Sequence, residues 1–361
     1  MSRVIGIDPG TVSLDVCGLE AGRVFLDRSF PTAETLARPA ILVDLLEEAH
    51  ASAPIDLVAG PSGYGLPLVA ARDLTEADLR LACLAAEGEP GGIGGLRSLM
   101  RTLARIAAPV VLTPGVIHLP SVPAHRKVNR VDMGTADKVC AVALAVHEQA
   151  ARRGCGEREV SLILLELGGA FTAAIAVENG QIVDGVGGTS GPLGARAAGA
   201  LDGEVAFLAG AVSKAMLFGG GAAAIAGGFF EPGAGLPSPD TPGGRLAWEA
   251  YVESAVKAVA ALSVSAPAAR DVVLSGRLAS AAVLRGMIAR RLADRPLHVL
   301  TGFASVAKQA AQGAALIADG LAGGGSEPLV DALRLREASG TALDHLYVVS
   351  PAAARARLGI A

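Results

Sequence analysis

Two runs place a carboxylate two residues before a glycine at the end of an apolar stretch: Ile7-Asp8-Pro9-Gly10-Thr11 and Leu165-Glu166-Leu167-Gly168-Gly169. Glycine turns let backbone N–H groups approach an anion with no Cβ in the way. Two such turns facing each other across a cleft can hold a polyphosphate. Thr11 and Thr172 add candidate hydroxyl donors. Asp8 and Glu166 would repel phosphate directly, so they make sense with a Mg2+ ion and its waters between them and the phosphates. Phosphoryl transfer in such a site needs positioning and charge neutralisation more than covalent help.

A third segment, His125 to Lys138, is unusually polar for this chain. It carries Arg126, Lys127, Asn129, Arg130, Asp132, Asp137 and Lys138 and runs into a helical pattern. Asp137 is the first candidate for a catalytic carboxylate and Asp132 the second; either can orient an acceptor or hold a metal-bound water. Arg126 and Arg130 can pair with a carboxylate substrate or with the transferring phosphoryl group. Plainer readings stand beside these. Thr135 can cap the helix while Asp137 complements its dipole. Asp132 can be a turn residue, and the arginines can belong to a solvated loop. The run Gly187 to Gly194 offers Thr189 and Ser190 to a substrate, or is a flexible connection.

The elements that must position these residues form a repeat. The chain aligns with itself without a gap from Ile7 to Val24 and from Leu165 to Ile182. Asp8 matches Glu166, Gly10 matches Gly168, and the later turns Glu20-Ala21-Gly22 and Glu178-Asn179-Gly180 coincide. Each copy reads as strand, glycine turn, strand, hairpin turn, strand, and Asn179-Gly180 is a strong type I′ signal. Helical patterns follow at 33–51 and 135–153, then at 246–263, 281–293 and 305–321. Short apolar runs at 57–59, 110–112 and 272–274 read as strands between them. The expectation is an α/β chain of two duplicated ribonuclease H-like lobes with an interlobe cleft. The break falls near Gly154-Cys155-Gly156, giving lobes 1–154 and 155–361.

Composition narrows the function classes. Net charge is −4 and no basic stripe interleaves with aromatics, which argues against nucleic-acid binding. Lys214 and repeated glycines interrupt the apolar stretch 206–225, so it reads as a buried Ala/Gly-rich helix and not a membrane span. No charged-then-apolar leader precedes Val4-Ile5-Gly6-Ile7, and the four cysteines form no CxxC pair; a cytoplasmic protein is expected. Residues 231–244 are rich in Pro and Gly and read as a long surface loop. Ser62 sits in no Gly-x-Ser-x-Gly elbow, because Pro61 precedes it. Trp248 and Tyr251 read as helix core.

The runs Ile5 to Thr11 and Leu164 to Thr172 resemble the two phosphate motifs of the actin-like ATPase superfamily, which unites acetate and sugar kinases, Hsp70 and actin. Val272 to Leu278 resembles its adenosine motif, with Gly276 under the nucleoside and Arg277 where a second glycine is usual. Residues 305–321 resemble its second connecting helix, packed through small residues on 135–153. At finer grain the opening, the segment Asn129 to Lys138 and the run Gly187 to Gly194 are similar to a group called predicted butyrate kinases. The spacing of His118 and His125 lacks the metal signature of the superfamily's tRNA-modifying branch. The resemblance implies ATP and Mg2+ as cofactors and a small-molecule substrate, without nucleic acid or membrane, and leaves a homodimer open. It implies a kinase for a carboxylate or hydroxyl acceptor, with a non-catalytic ATP-binding regulator or assembly factor as the alternative.

Overall fold

The computed structural model describes residues 2–89, 95–227 and 238–360. The strands of the first half are β1 (Arg3–Pro9), β2 (Ser13–Glu20), β3 (Arg23–Pro31), β4 (Leu57–Pro61), β5 (Val69–Ala70) and β6 (Val110–Thr113). They form one sheet in the order β3-β2-β1-β4-β6-β5, in which β1 to β3 are an antiparallel meander and β4 and β6 continue it in parallel from β1. The second half repeats the plan. Its strands β7 (Leu162–Leu167), β8 (Thr172–Glu178), β9 (Gln181–Val186), β10 (Asp271–Ser275) and β11 (Leu297–Val299) pair as β11-β10-β7-β8-β9, again a meander extended in parallel from its first strand.

The duplication extends to irregularities. Each meander shifts register at the same aligned place, between Gly18 and Leu19 and between Ala176 and Val177. The following hairpins turn through matched positive-φ pairs, Ala21 (48°) with Gly22 (76°) and Asn179 (51°) with Gly180 (74°). Positive φ at both central residues marks the type I′ turn, whose twist suits antiparallel strands.

The first-half helices are α1 (Thr32–Ala37), α2 (Ala40–Ser52), α3 (Glu76–Cys83), α4 (Leu96–Leu103), α5 (Ala124–Lys127) and α6 (Ala136–Arg153). The span 33–51, expected as one helix, is broken at Pro39, which removes an amide donor. The second half holds α7 (Gly203–Ala209), α8 (Lys214–Leu217), α9 (Ala222–Ile225), α10 (Pro242–Ser265), α11 (Ala282–Arg291), α12 (Gln309–Leu321), α13 (Glu327–Leu333) and α14 (Pro351–Arg357). The buried helix expected over 206–225 is instead three short helices, none with more than two buried residues, separated at Gly210 and at Gly219 to Gly221. Of the loop expected at 231–244, residues 231–237 lie outside the described residues, and α10 starts inside its far end, with Thr241 capping through Gly244 N.

A shared core joins the lobes. It holds α6 and α12 together with Val4, Cys17 and Leu19 of the first sheet and Leu162, Leu164 and Ile175 of the second. The outer face of the second sheet is covered by α10 and α11, and that of the first by α2 and α4. The span 155–361 therefore does not stay in one lobe. From α12 onward it packs back onto the first half, where Leu343, Leu358 and Ile360 join a cluster with α3 and α4. Burial of these apolar residues, not chain order, sets the partition.

Two glycines let α12 pack closely on its neighbours. A Cβ on Gly6 of β1 would stand 2.2 Å from Ala311 O and Ala315 N of α12, and one on Gly313 of α12 would stand 1.8 Å from Cys140 O of α6. Both obstacles are backbone and cannot swing aside. Gly313→Ala is therefore expected to lower stability by roughly 1–3 kcal/mol despite alanine's better helix propensity. Gly203→Ala, where nothing lies within 4 Å of the added Cβ, should stay within about 0.5 kcal/mol of the parent. Urea denaturation of both variants checks this, and equal midpoints would refute the close-packing account.

Candidate active site

The two glycine turns close in the same way. Gly10 N donates to Ser13 O at 2.9 Å, and at the aligned position Gly168 N donates to Phe171 O at 3.0 Å. The turns meet across a cleft: a Cβ on Gly169 would stand 3.9 Å from Val12 Cγ2 of the other turn. One cavity is lined by Asp8, Gly10 and Thr11 from the first turn and by Glu166, Gly168 and Gly169 from the second. Gly276 closes its floor after β10 with φ of 85°, and a Cβ there would stand 2.7 Å from Leu167 O. Beside it Ser275 presents a buried hydroxyl that has no hydrogen-bond partner among the described residues. Arg277, which displaces the usual second glycine, turns its side chain along the same wall.

Three cations face these groups. Lys138, in the first turn of α6, lies 2.5 Å from Asp137 and 2.8 Å from Glu166. Burial works against its charge, but the two carboxylates outweigh it and raise the ammonium's pKa. Burial likewise pushes Asp137 up, yet Lys138 and the Thr135 hydroxyl hold it below its ordinary value. Glu166 ends raised, because burial outweighs the Lys138 attraction. The second cation, Lys308, hydrogen-bonds Ser13 Oγ and lies 3.4 Å from Asp15 Oδ2 beside the first turn. Arg277 is the third.

Asp8 is the exception in this balanced set. Among the described residues its carboxylate makes no hydrogen bond or ion pair, and it opens into the cavity. Burial first, then the neighbouring Asp137 and Asp15 charges, push its pKa up to about 8. A free, hard oxygen donor surrounded by negative charge fits a Mg2+ ion, which takes one or two carboxylates together with waters and phosphate oxygens. Glu166 fits less well, since Lys138 already holds one of its oxygens. Among the described residues no cluster of three or more His, Cys, Asp and Glu could cage a metal on its own.

The other residues singled out from sequence divide. Asp132 and Thr189 reach the cavity wall, but Asp132 is a staple: its carboxylate accepts from Gly134 N at 3.2 Å and from Thr189 N and Oγ1 at 2.9 and 2.8 Å. It pins the Gly187–Gly194 run, so that run is neither a flexible connection nor an open donor set. Ser190 hydrogen-bonds Asp132 O, and Arg130 donates to Ser190 O at 3.2 Å; neither faces the cavity. Arg126 donates to Val183 O at 2.7 Å, beside Asp184. Thr172 is fully buried with its hydroxyl on Tyr251 Oη, because strand alternation points it inward as it points the matching Leu14. Thr135 makes no side-chain cap; its hydroxyl donates to Asp137 instead.

Sequence reasoning missed Lys138 and Lys308 as site residues. Lys138 stood in the polar segment without a role. Lys308 fell inside a helix expected from Ser305, whereas α12 starts at Gln309. Of the apolar side of the cavity, Tyr64, Leu96, Phe171 and Phe218, only Phe171 fell within a motif. Phe171 and Phe218 pack edge to face at 4.7 Å, and Lys214 lies over the Tyr64 ring at 5.0 Å.

Asp8 yields a stability prediction. A carboxyl whose folded pKa is raised contributes stability that is complete below its unfolded value near 3.8 and lost as pH climbs through about 8. Asp8→Asn removes that loss. The variant is expected to be more stable than the parent by on the order of 2 kcal/mol at pH 7, with the gain vanishing at pH 4. Thermal melts at the two pH values check it; a destabilised variant at pH 7 would contradict the electrostatic picture.

Known structures share this architecture. A propionate kinase from Francisella tularensis subsp. tularensis SCHU S4 is 14% identical with a TM-score of 0.63, covering 87% of this chain and 99% of its own. An acetate kinase from Entamoeba histolytica is 12% identical with a TM-score of 0.59, covering 81% and 86%. An acetate kinase from Porphyromonas gingivalis is 15% identical with a TM-score of 0.56, covering 80% and 86%. At these identities the likeness establishes the fold, which is that of the actin-like ATPase superfamily. No curated protein matches the chain, and among the described residues no helix is long and apolar enough to cross a membrane. A family described as "protein of unknown function (DUF1464)" matches residues 6–348, and this chain, with its paired glycine turns and two-lobed fold, belongs to it.

Proposed function

We propose that the chain is an ATP-dependent kinase that phosphorylates the carboxylate of a small, largely apolar acid. One observation carries this reading: a single cavity is lined both by two glycine turns with cations beside them and by the apolar side chains of Tyr64, Leu96, Phe171 and Phe218. Gly10, Gly168 and Gly169 would give their backbones to the phosphates, and Gly276 would underlie the nucleoside. Arg277 and Lys308 would offset phosphate charge, and Asp8 would hold Mg2+, which when bound neutralises the phosphates further.

The acceptor follows from what the site lacks. A hydroxyl must lose its proton to a base. The two carboxylates best placed by sequence are occupied, Asp137 by Lys138 and Thr135 and Asp132 by Thr189 and Gly134. A carboxylate acceptor is already ionised at neutral pH and needs no base. Its attack on the γ-phosphorus forms a C–O–P bond and breaks the bond to the ADP oxygen, giving an acyl phosphate and ADP. The wall of Tyr64, Leu96, Phe171 and Phe218 suits an alkyl chain, whereas a sugar buried there would leave hydroxyls unpaired. Propionate and acetate kinases among the structural neighbours support the same class.

A second reading, a non-catalytic ATP-binding regulator, is favoured by the Lys138 ammonium, which already stands between Asp137 and Glu166. Trapping acyl phosphate with hydroxylamine separates the two. With Mg-ATP, short aliphatic acids should give hydroxamate and sugars should release no ADP. Asp8→Asn should lower kcat/KM by about 100-fold or more. Wild-type turnover in Asp8→Asn would refute the role given to Asp8. ATP binding by calorimetry with no acceptor consumed would establish the regulator instead.

A further inference from the structure

Between β11 and α12 the chain passes from the second sheet back to the first. Leu300 N donates to Leu274 O at 2.8 Å, its last tie to the second sheet. The next seven amides all donate to side chains. Thr301 N and Gly302 N bond Glu148 Oε2 of α6 at 3.2 and 2.8 Å. Phe303 N and Ala304 N bond Gln312 Oε1 of α12 at 2.7 and 3.0 Å. Ser305 N and Val306 N bond Asp27 Oδ2 at 2.8 and 2.9 Å, and Ala307 N bonds Oδ1 at 2.6 Å. All seven are thus satisfied by side chains, and α12 begins at Gln309 and not at Ser305.

The residue that follows is Lys308. Its ammonium bonds Ser13 Oγ, lies 3.4 Å from Asp15 and lines the cavity beside the Gly10 turn. Asp27 clamps the three amides just before Lys308, and it comes from an edge strand, β3, that is hydrogen-bonded to β2, the strand of Ser13 and Asp15. One carboxylate thus ties the peptide before Lys308 to the meander that Lys308 must reach. Amide bonds to a charged acceptor are stronger than neutral ones. They, with Arg28, keep the Asp27 carboxyl below its ordinary pKa even though burial acts to raise it.

We infer that Asp27 is a positioning residue for Lys308, fixing the Ser305–Ala307 peptide so that the ammonium is held at the first glycine turn. The meaning of that position for phosphate binding rests on the kinase reading above; the placement itself does not.

Two measurements on the full chain test it. Acylation by a water-soluble N-hydroxysuccinimide ester, read by peptide mass spectrometry, reports how freely the Lys308 amine moves. Asp27→Ala should raise Lys308 labelling about fivefold, with the exposed Lys257 as an unchanged internal standard. Asp27→Asn keeps one oxygen acceptor and should fall between, and it serves alone if the alanine variant does not fold. Unchanged Lys308 labelling in a folded variant overturns the inference. Calorimetry with Mg-ATP adds a cycle. Asp27→Ala should weaken binding about tenfold in the parent and less than about twofold in a Lys308→Met background, because the two act as one unit. Equal losses in both backgrounds would show a general structural role and overturn it. A parent that binds no Mg-ATP refutes the nucleotide reading, while the labelling result still decides the role of Asp27.

Discussion

Each half of the molecule receives a cation from the other. Lys138, at the start of the first connecting helix, belongs to the first half but pairs with Glu166 at the turn of the second. Lys308, just before the second connecting helix, belongs to the second half but bonds Ser13 and nears Asp15 beside the turn of the first. The exchange ties two desolvated acidic turns together. Burying the carboxylates of Asp15 and Glu166 is costly unless a cation comes with them. The connecting helices deliver those cations from between the sheets. Their close packing through Gly6 and Gly313 fixes how far into the cleft the lysines reach.

Duplication explains why the two turns are alike in backbone and unlike in chemistry. Backbone geometry was retained down to the register shift and the left-handed hairpin residues. Side chains diverged on that frame. The aligned pairs Asp8 and Glu166, Thr11 and Gly169, and Leu14 and Thr172 occupy equivalent places with different capacities. Thr172 shows the limit of reading function by alignment to a turn. It lies on the strand, where the two-residue alternation points it into the core.

Much of this was legible because it is local. The glycine turns, the meanders, the Asn179-Gly180 hairpin and the strands at 57, 110 and 272 each announce themselves within a few residues. Asp8, Gly10, Glu166 and Gly168 were found together in one cavity because each sits at the end of a strand whose place the repeat dictates, and Gly276 joins them from the end of β10. What escaped depends on distance in sequence. The pairing of Asp132 with Thr189 and of Lys138 with Glu166 joins segments that no periodicity connects. The amides just before Lys308 are held by Asp27, far upstream. The apolar wall draws single residues from loops and from short, exposed helices whose composition had suggested one buried helix.

The electrostatic asymmetry of the cleft then assigns its two sides. Around Glu166 the charge is settled: a lysine bonds it and the neighbouring Asp137 together. Around Asp8 it is not, since Lys308 is spent on Ser13 and Asp15 and leaves the Asp8 carboxylate facing the cavity alone. Burial, with the Asp137 and Asp15 charges added to it, pushes the Asp8 pKa up to about 8. A protein gains nothing in stability from an unpaired carboxylate in such a place, and perturbed groups of this kind gather where a ligand supplies the missing charge. On the kinase reading proposed above, the cation would sit on the first-lobe side of the cleft, beside Asp8, and the second-lobe side would hold the phosphates it accompanies.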